Sequence, residues 1–292
     1  MENRSRHSQF ESPLRYPGGK ACIYPFMSKL FYENSLVGSA YAEPYAGGAG
    51  LALKLLYNEY VSEVFINDLD KSIYKFWKAL TENNLIFCDW LEDVDISIEN
   101  WHHYKSILQN PELQPDIEIA KSTFFLNRTN ISGVIKGGII GGQEQTGKYK
   151  IDARFNKSDL IRRIRRIESF KHRINVSNLD GVNFIRKMNR VNNNVFIYID
   201  PPYVQKGADL YMNFYSLKDH KKLSKNVDLI NKKWIVSYDN NEFILSLYKE
   251  HRKVLYRLSQ AASNRIGDEI LIFSNNLIYN ESLKKLKDAV RV

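Results

Sequence analysis

The chain has 292 residues, with 42 basic and 33 acidic side chains and a net charge of +9 at neutral pH. Apolar residues make up 43% and aromatic residues 13%, which excludes an intrinsically disordered chain, and no apolar run approaches the roughly 18 residues of a membrane span. Two cysteines, Cys22 and Cys88, can build neither a disulfide framework nor a CxxC metal site, so the expected setting is reducing and cytoplasmic, with no metal.

In chain order, residues 1–20 are polar, lack a secretory apolar stretch and end in the turn Pro17-Gly18-Gly19. The spacing predicts a helix over 21–34 and a short strand over 39–45. Gly47, Gly48 and Gly50 then punctuate a turn before a helix over 51–60, and a buried strand follows over 64–68. Strand, glycine-rich turn, helix and strand open a doubly wound α/β sheet. The middle, 71–172, breaks that rhythm. Residues 81–120 carry nine acids and one base, whereas 121–173 carry thirteen bases and four acids, interleaved with aromatic rings. A basic, aromatic block suits a polyanion such as nucleic acid. Its last part, 161–174, reads equally well as a helix whose isoleucines face a core while its arginines point to solvent. Residues 133–149 hold six glycines and no helical period, which predicts a hairpin or long loop. The α/β rhythm resumes with strands over 173–180, 194–200 and 233–238, and an antiparallel pair over 253–258 and 269–275. The expected organisation is one α/β domain from 1–70 plus 173–292, with a basic module at 71–172 inserted.

Three motifs sit where such a sheet presents its chemistry. In the first, 42–50 (AEPYAGGAG), glycines after a strand let backbone N–H groups approach a ligand; a plain tight turn is the alternative. Asp68, after the next strand, is placed to accept hydrogen bonds from ribose hydroxyls. The third, Asp200-Pro201-Pro202-Tyr203, follows an almost wholly apolar strand. Two prolines stop the ladder and hold the backbone extended. The carboxylate and the Pro201 carbonyl then offer two acceptors to a planar amino group, with the Tyr203 ring beside it for stacking.

In order, RYPGGK (15–20), EPYAGGAG (43–50), IND (66–68), FFLNR (124–128), DPPY (200–203), WIVSYDN (234–240) and EILIFSN (269–275) resemble the Dam-type adenine-specific DNA methyltransferases of the alpha group. The resemblance runs from about residue 13 to 276. It implies a Rossmann-like S-adenosylmethionine-dependent methyltransferase sheet, with an inserted, mainly helical target-recognition domain that carries a hairpin loop. It also implies methyl transfer from S-adenosylmethionine to the 6-amino group of adenine in duplex DNA, by base flipping and direct displacement. The implied cofactor residues are Tyr16, Lys20, Glu43, Gly47, Asp68, Asp180 and Asp200. The catalytic residues are Asp200, Pro201, Pro202 and Tyr203, and the DNA-contacting residues are Asn127, Arg128, Asn130, Ser132 and Lys136. A restriction endonuclease acting on the same site is a possible partner.

One departure bears on the target. Relatives that methylate GATC carry Tyr-Asn-Gly-Leu-x-Arg where this chain has Ile131-Ser132-Gly133-Val134-Ile135-Lys136. Lysine lacks the bidentate fork of a base-reading arginine, so a sequence other than GATC is expected. An amino-methylating RNA methyltransferase with a DPPY-like motif is the competing reading. A cytosine-ring enzyme is excluded, because neither Cys22 nor Cys88 follows a proline.

Overall fold

The computed structural model describes residues 11–16, 18–192, 194–204, 215–260 and 265–292. The chain divides into two compact units, one formed by 17–74 and 173–292, the other by 1–16 and 75–172.

The larger unit holds one eight-stranded sheet among its described residues: β1 (Ser39–Glu43), β2 (Val61–Asn67), β3 (Ile174–Ser177), β4 (Val195–Ile199), β5 (Trp234–Asp239), β6 (Arg252–Gln260), β7 (Arg265–Phe273) and β8 (Val290–Arg291). Their order is β3-β2-β1-β4-β5-β7-β6-β8. The first five are parallel, and β7 runs antiparallel to both β5 and β6. This is the Rossmann-like sheet expected from the sequence. The antiparallel pair at its end extends through Gln260 and Arg265, and its tip, 261–264, lies outside the described residues.

Parallel strands covered on both faces read as continuous apolar runs, and β4 is buried at every position. Its alternation decides what lies on each face. Val195, Ile197 and Ile199 join the cluster that includes Val182, Ile185 and Met188 of α8 (Gly181–Arg190) and Leu223 and Val227 of α9 (Leu217–Val227). Phe196, from the opposite set, stacks on Tyr41 of β1 and packs against Phe31 of α1 (Tyr24–Glu33). The chain leaves β1 into α2 (Gly50–Tyr57) and returns to β2 on one side, while β4 lies on the other side of β1. Strand order therefore reverses between β1 and β4, and the carboxyl ends flanking that point are where such sheets bind ligands.

The other unit is helical. α3 (Lys71–Glu82) crosses the division; α4 (Asn84–Asp93), α5 (Ile98–Gln109), α6 (Asp116–Thr129) and α7 (Lys157–Phe170) lie within the unit. Ser97 and Asn156 cap α5 and α7 by accepting from backbone N–H groups of the first turn. The core is aromatic: Phe76, Phe87, Trp90 and Phe155 surround Phe124 of α6.

Two readings of this region change, and the long loop expected over 133–149 is present. Residues 11–16, assigned by sequence to the catalytic part, belong to the helical unit, because the Arg15 backbone is hydrogen-bonded on both sides by the Asn127 amide. The arginines of α7 do not all face solvent: Arg163 is buried, donating to Ser12 O and paired with Asp159. Over 133–149 the chain forms turns, closed by one isolated antiparallel bridge between Asn130 and Ile139, with bonds from Ile131 N to Gly138 O and Ile140 N to Thr129 O. A run so rich in glycine lacks the side chains that would pair two strands. Gly133 has φ +77°, and a Cβ there would lie 2.3 Å from Arg15 O, so glycine is required on both counts.

Candidate active site

The site is built at the carboxyl ends of β1, β2, β3, β4 and β5. Asp200 follows β4 directly. Its Oδ1 accepts from the Ser237 hydroxyl of β5 at 2.7 Å, and that hydroxyl accepts from the Tyr198 hydroxyl at 3.0 Å. Its Oδ2 lies 3.1 Å from Lys20 Nζ. Lys20 opens a short 3₁₀ turn (Lys20–Ile23) and is only 5% exposed. Its ammonium also donates to the Tyr203 hydroxyl at 2.5 Å and to Gly18 O at 3.0 Å. Glu269 of β7 stands 3.5 Å away and accepts from the Tyr256 hydroxyl of β6 at 2.9 Å.

Burial raises the Asp200 pKa; Lys20 opposes the rise and Glu269 adds to it, leaving it above the usual carboxylate range. Burial pulls Lys20 down, yet Asp200 and Glu269 outweigh it and hold the ammonium well above the ordinary lysine value. The Asp200 carboxyl has one hydrogen-bond donor on each oxygen, the Ser237 hydroxyl on Oδ1 and the Lys20 ammonium on Oδ2. Each oxygen keeps a further lone pair for an incoming N–H.

A second half surrounds the glycine-rich turn. Gly47 (φ 46°) and Ala49 (φ 45°) adopt left-handed backbone conformations, and α2 begins immediately after them. Asp68, half-buried at the end of β2, accepts from Gly47 N through Oδ2 and from Asp70 N through Oδ1, both at 2.9 Å. Burial raises its pKa to about 7 against the pull of those two bonds. Glu43, buried at the end of β1, accepts from the Tyr41 hydroxyl at 2.9 Å; burial, with a contribution from Asp200, takes its pKa to about 8. Asp180 caps α8 through Oδ1, which accepts from Val182 N and Asn183 N. Gly181 lies against the Tyr45 ring, where a Cβ would approach to 2.4 Å.

This donor set fits a ribosylated, cationic cofactor. Two lone-pair sites of Asp68 hold the turn and the others are left for hydroxyl donors. The surrounding carboxylates favour a positive charge.

Sequence motifs located Lys20 in one segment and Asp200 and Tyr203 in another, and the structure brings the three together. It adds three residues that no motif marked as functional. Ser237 and Glu269 reach the site through strand pairing. Asn67 (1% exposed) donates to Pro44 O and Leu179 O and accepts from Leu179 N and the Ser177 hydroxyl, so one amide ties together the chain leaving β1, β2 and β3.

In the helical unit, the residues expected on DNA separate into two groups. Asn127 is buried, with its amide on Arg15 N, Arg15 O and Gly133 O, each at 2.8 Å. Asn130 accepts from Trp101 Nε1 and donates to Val134 O and Ile135 O. Arg128 is buried with its guanidinium on Arg154 O and Pro13 O; burial, then Arg15 and Arg163, lower its pKa to about 9. These three shape the loop from inside. Lys136 and Ile131 are exposed and Ser132 is half-buried, so the loop offers these side chains to a partner. Tyr16 is half-buried and falls in the helical unit.

Among the described residues, no cluster of His, Cys, Asp and Glu is arranged to hold a metal ion, and no helix is long and apolar enough to cross a membrane. A sequence model of the family described as D12 class N6 adenine-specific DNA methyltransferase matches residues 16–261. No curated protein matches the chain.

Proposed function

The chain belongs to the D12 class N6 adenine-specific DNA methyltransferases, and on that premise we propose that Asp200, Pro201, Pro202 and Tyr203 receive an adenine turned out of duplex DNA and hold its 6-amino group for methylation. Family membership also decides between DNA and RNA in favour of DNA. The observation that carries the reading is the setting of Asp200: a carboxylate at the end of the central strand β4, beside the reversal of strand order, with Ser237 and Lys20 fixing its two oxygens.

When bound, S-adenosylmethionine supplies an electrophilic methyl group on a sulfonium. Asp68 would accept from its ribose, the turn at Gly47 would give the backbone close approach, and Glu43 would supply a carboxyl group at the end of β1. Asp180, at the start of α8, would serve the adenine, and Lys20 would complete the binding set in this unit. The enzyme's part in the reaction is positioning and electrostatics. Asp200 and the Pro201 carbonyl would accept the two amino N–H bonds, which draws the nitrogen lone pair out of the ring and frees it to form the new N–C bond as the methyl–sulfur bond breaks, its electron pair staying on sulfur as a neutral thioether. The nitrogen then carries a positive charge until one proton leaves; Asp200 is placed to take that proton and pass it to water. Tyr203 stacks on the base, its phenol tethered by Lys20.

Sequence-independent affinity comes from the helical unit. Burial, then Arg154, lowers the Arg15 pKa, and burial, then Arg15 and Arg163, lowers that of Arg128, with Asp159 as the acid facing Arg128; phosphates would offset this local surplus of positive charge. Specificity comes from the loop bearing Ile131, Ser132 and Lys136. The target is a sequence other than GATC.

The test is transfer of labelled methyl from S-adenosylmethionine into duplex DNA, with single-molecule sequencing to identify the base and its context. Label recovered as N6-methyladenine supports the proposal; label in cytosine or in RNA alone refutes it. Cofactor binding has its own signature. Because Asp68 titrates at about 7 and its ionised form is the better acceptor, S-adenosylmethionine affinity should rise roughly tenfold between about pH 6 and pH 8 by calorimetry. Asp68→Asn should bind more weakly, with that dependence flattened. An unchanged slope in the variant would assign the titration to another group.

A further inference from the structure

Glu269 carries a buried charge that the reaction just described does not use. It lies on β7, opposite Tyr256 of β6 and Asp239 of β5, and is 1% exposed. Its Oε2 takes the Tyr256 hydroxyl and faces Lys20, while Oε1 is buried and has no hydrogen-bond partner among the described residues. A buried carboxylate oxygen left bare is costly and calls for a reason. Anchoring Lys20 is not a sufficient one. Asp200, Tyr203 and Gly18 already accept from that ammonium, each at a shorter distance.

Charge supplies the reason. Lys20 and Asp200 alone would form a neutral pair, and an ammonium on Oδ2 weakens that carboxylate as an acceptor for anything else. With Glu269 present, one cation faces two carboxylates. The other titratable groups around the trio are Tyr198 of β4, Tyr203 just after it, Tyr238 and Asp239 of β5, Tyr256 of β6, Tyr41 and Glu43 of β1, and Cys22. Burial holds Tyr41, Tyr198, Tyr238 and Tyr256 well above the ordinary phenol value, raises the Cys22 thiol and takes Glu43 to about 8. Lys20, Asp200 and Glu269 are the cation and the two carboxyl groups in direct contact there.

We propose that Glu269 is a positioning residue that takes up the charge of Lys20, so that Asp200 keeps an uncompensated negative charge for the amino group of the target base. The bare Oε1 is the second seat for the ammonium: a small shift of Nζ toward Glu269 releases Oδ2 as the base arrives. This rests on the role of Asp200 proposed above.

The test uses the full chain. Glu269→Gln keeps the shape and an acceptor for Tyr256 but removes the charge. It should lower kcat roughly tenfold or more, with KM for duplex and calorimetric affinity for S-adenosylmethionine nearly unchanged. The acid limb of its kcat profile should move to lower pH, because Glu269 no longer opposes ionisation of Asp200. Glu269→Asp, which restores the charge, should recover most of the rate. If Glu269 acts through Lys20, then adding Glu269→Gln to Lys20→Met should lower kcat no further. That comparison also decides the matter if the single glutamine variant folds poorly. A Glu269→Gln enzyme with the wild-type kcat and pH profile, or losses that simply multiply in the double variant, would overturn the inference while the methyltransferase reading stands. A wild-type chain that methylates no adenine would overturn both.

Discussion

Asp200→Ala should yield a folded protein that transfers essentially no methyl groups, a loss of at least about a thousandfold in kcat. The physical reason is the amino group of adenine, a poor nucleophile while its lone pair is shared with the ring. Acceptors on both N–H bonds pull that pair onto nitrogen, and removing the charged acceptor removes most of the pull. The fold should survive because Lys20 keeps Glu269, Tyr203 and Gly18 O as acceptors, and only the Ser237 hydroxyl, which still accepts from Tyr198, loses the oxygen it donates to. The check pairs label incorporation with thermal melting and cofactor calorimetry. Turnover within tenfold of wild type would remove Asp200 from the chemistry; collapse of the melting transition would make it structural.

Lys20→Met should do the opposite, damaging the fold as well as the reaction. It leaves Asp200 and Glu269 near each other without their shared cation. Breaking one partner out of a buried ion pair costs about 3–5 kcal/mol, and the partial exposure of Asp200 points to the lower end. The pH dependence follows in sign. Without Lys20 the folded-state pKa of Asp200, already raised by burial, is raised further above that of the unfolded chain. The native state then holds a proton that the unfolded state has released, so stability falls as pH rises from about 4 through the raised value. Wild type keeps the contribution of Lys20 at every pH below that residue's own raised pKa. The gap in melting temperature between wild type and variant should therefore widen from acidic to neutral pH. Adding Glu269→Gln should narrow it again. A gap independent of pH would mean that Lys20 matters for packing alone.

Much of the larger unit was legible because its strands are short apolar runs between turn residues. The run over 194–200 contains β4, buried at every position from Val195 to Ile199, and the prolines after it mark where the ladder stops. Local pattern reports what a segment buries, not which distant segment lies beside it. That is why Ser237 and Glu269 went unread as site residues: both sit in strands whose periodicity says only that they are buried, and their place beside Asp200 comes from the order β4-β5-β7-β6. The helical unit misled for a related reason. Charge suggested that Arg128 and Arg163 face outward, yet each guanidinium satisfies a backbone carbonyl inside the unit. Asn127 stood in a motif and was taken for a contact with DNA; its amide holds the residue-15 backbone against the loop instead. Polar side chains that complete backbone hydrogen bonding carry no sequence signature distinguishing them from those that meet a partner.

The amide of Asn67 has a mechanical consequence. Three separate connections, after β1, β2 and β3, hang from one side chain. Such loops would ordinarily fluctuate independently, each with its own opening equilibrium. Fastened at a single point, they gain or lose their arrangement together. The cofactor cradle then behaves as one cooperative element, set before any ligand arrives, and little ordering entropy remains to be lost on binding.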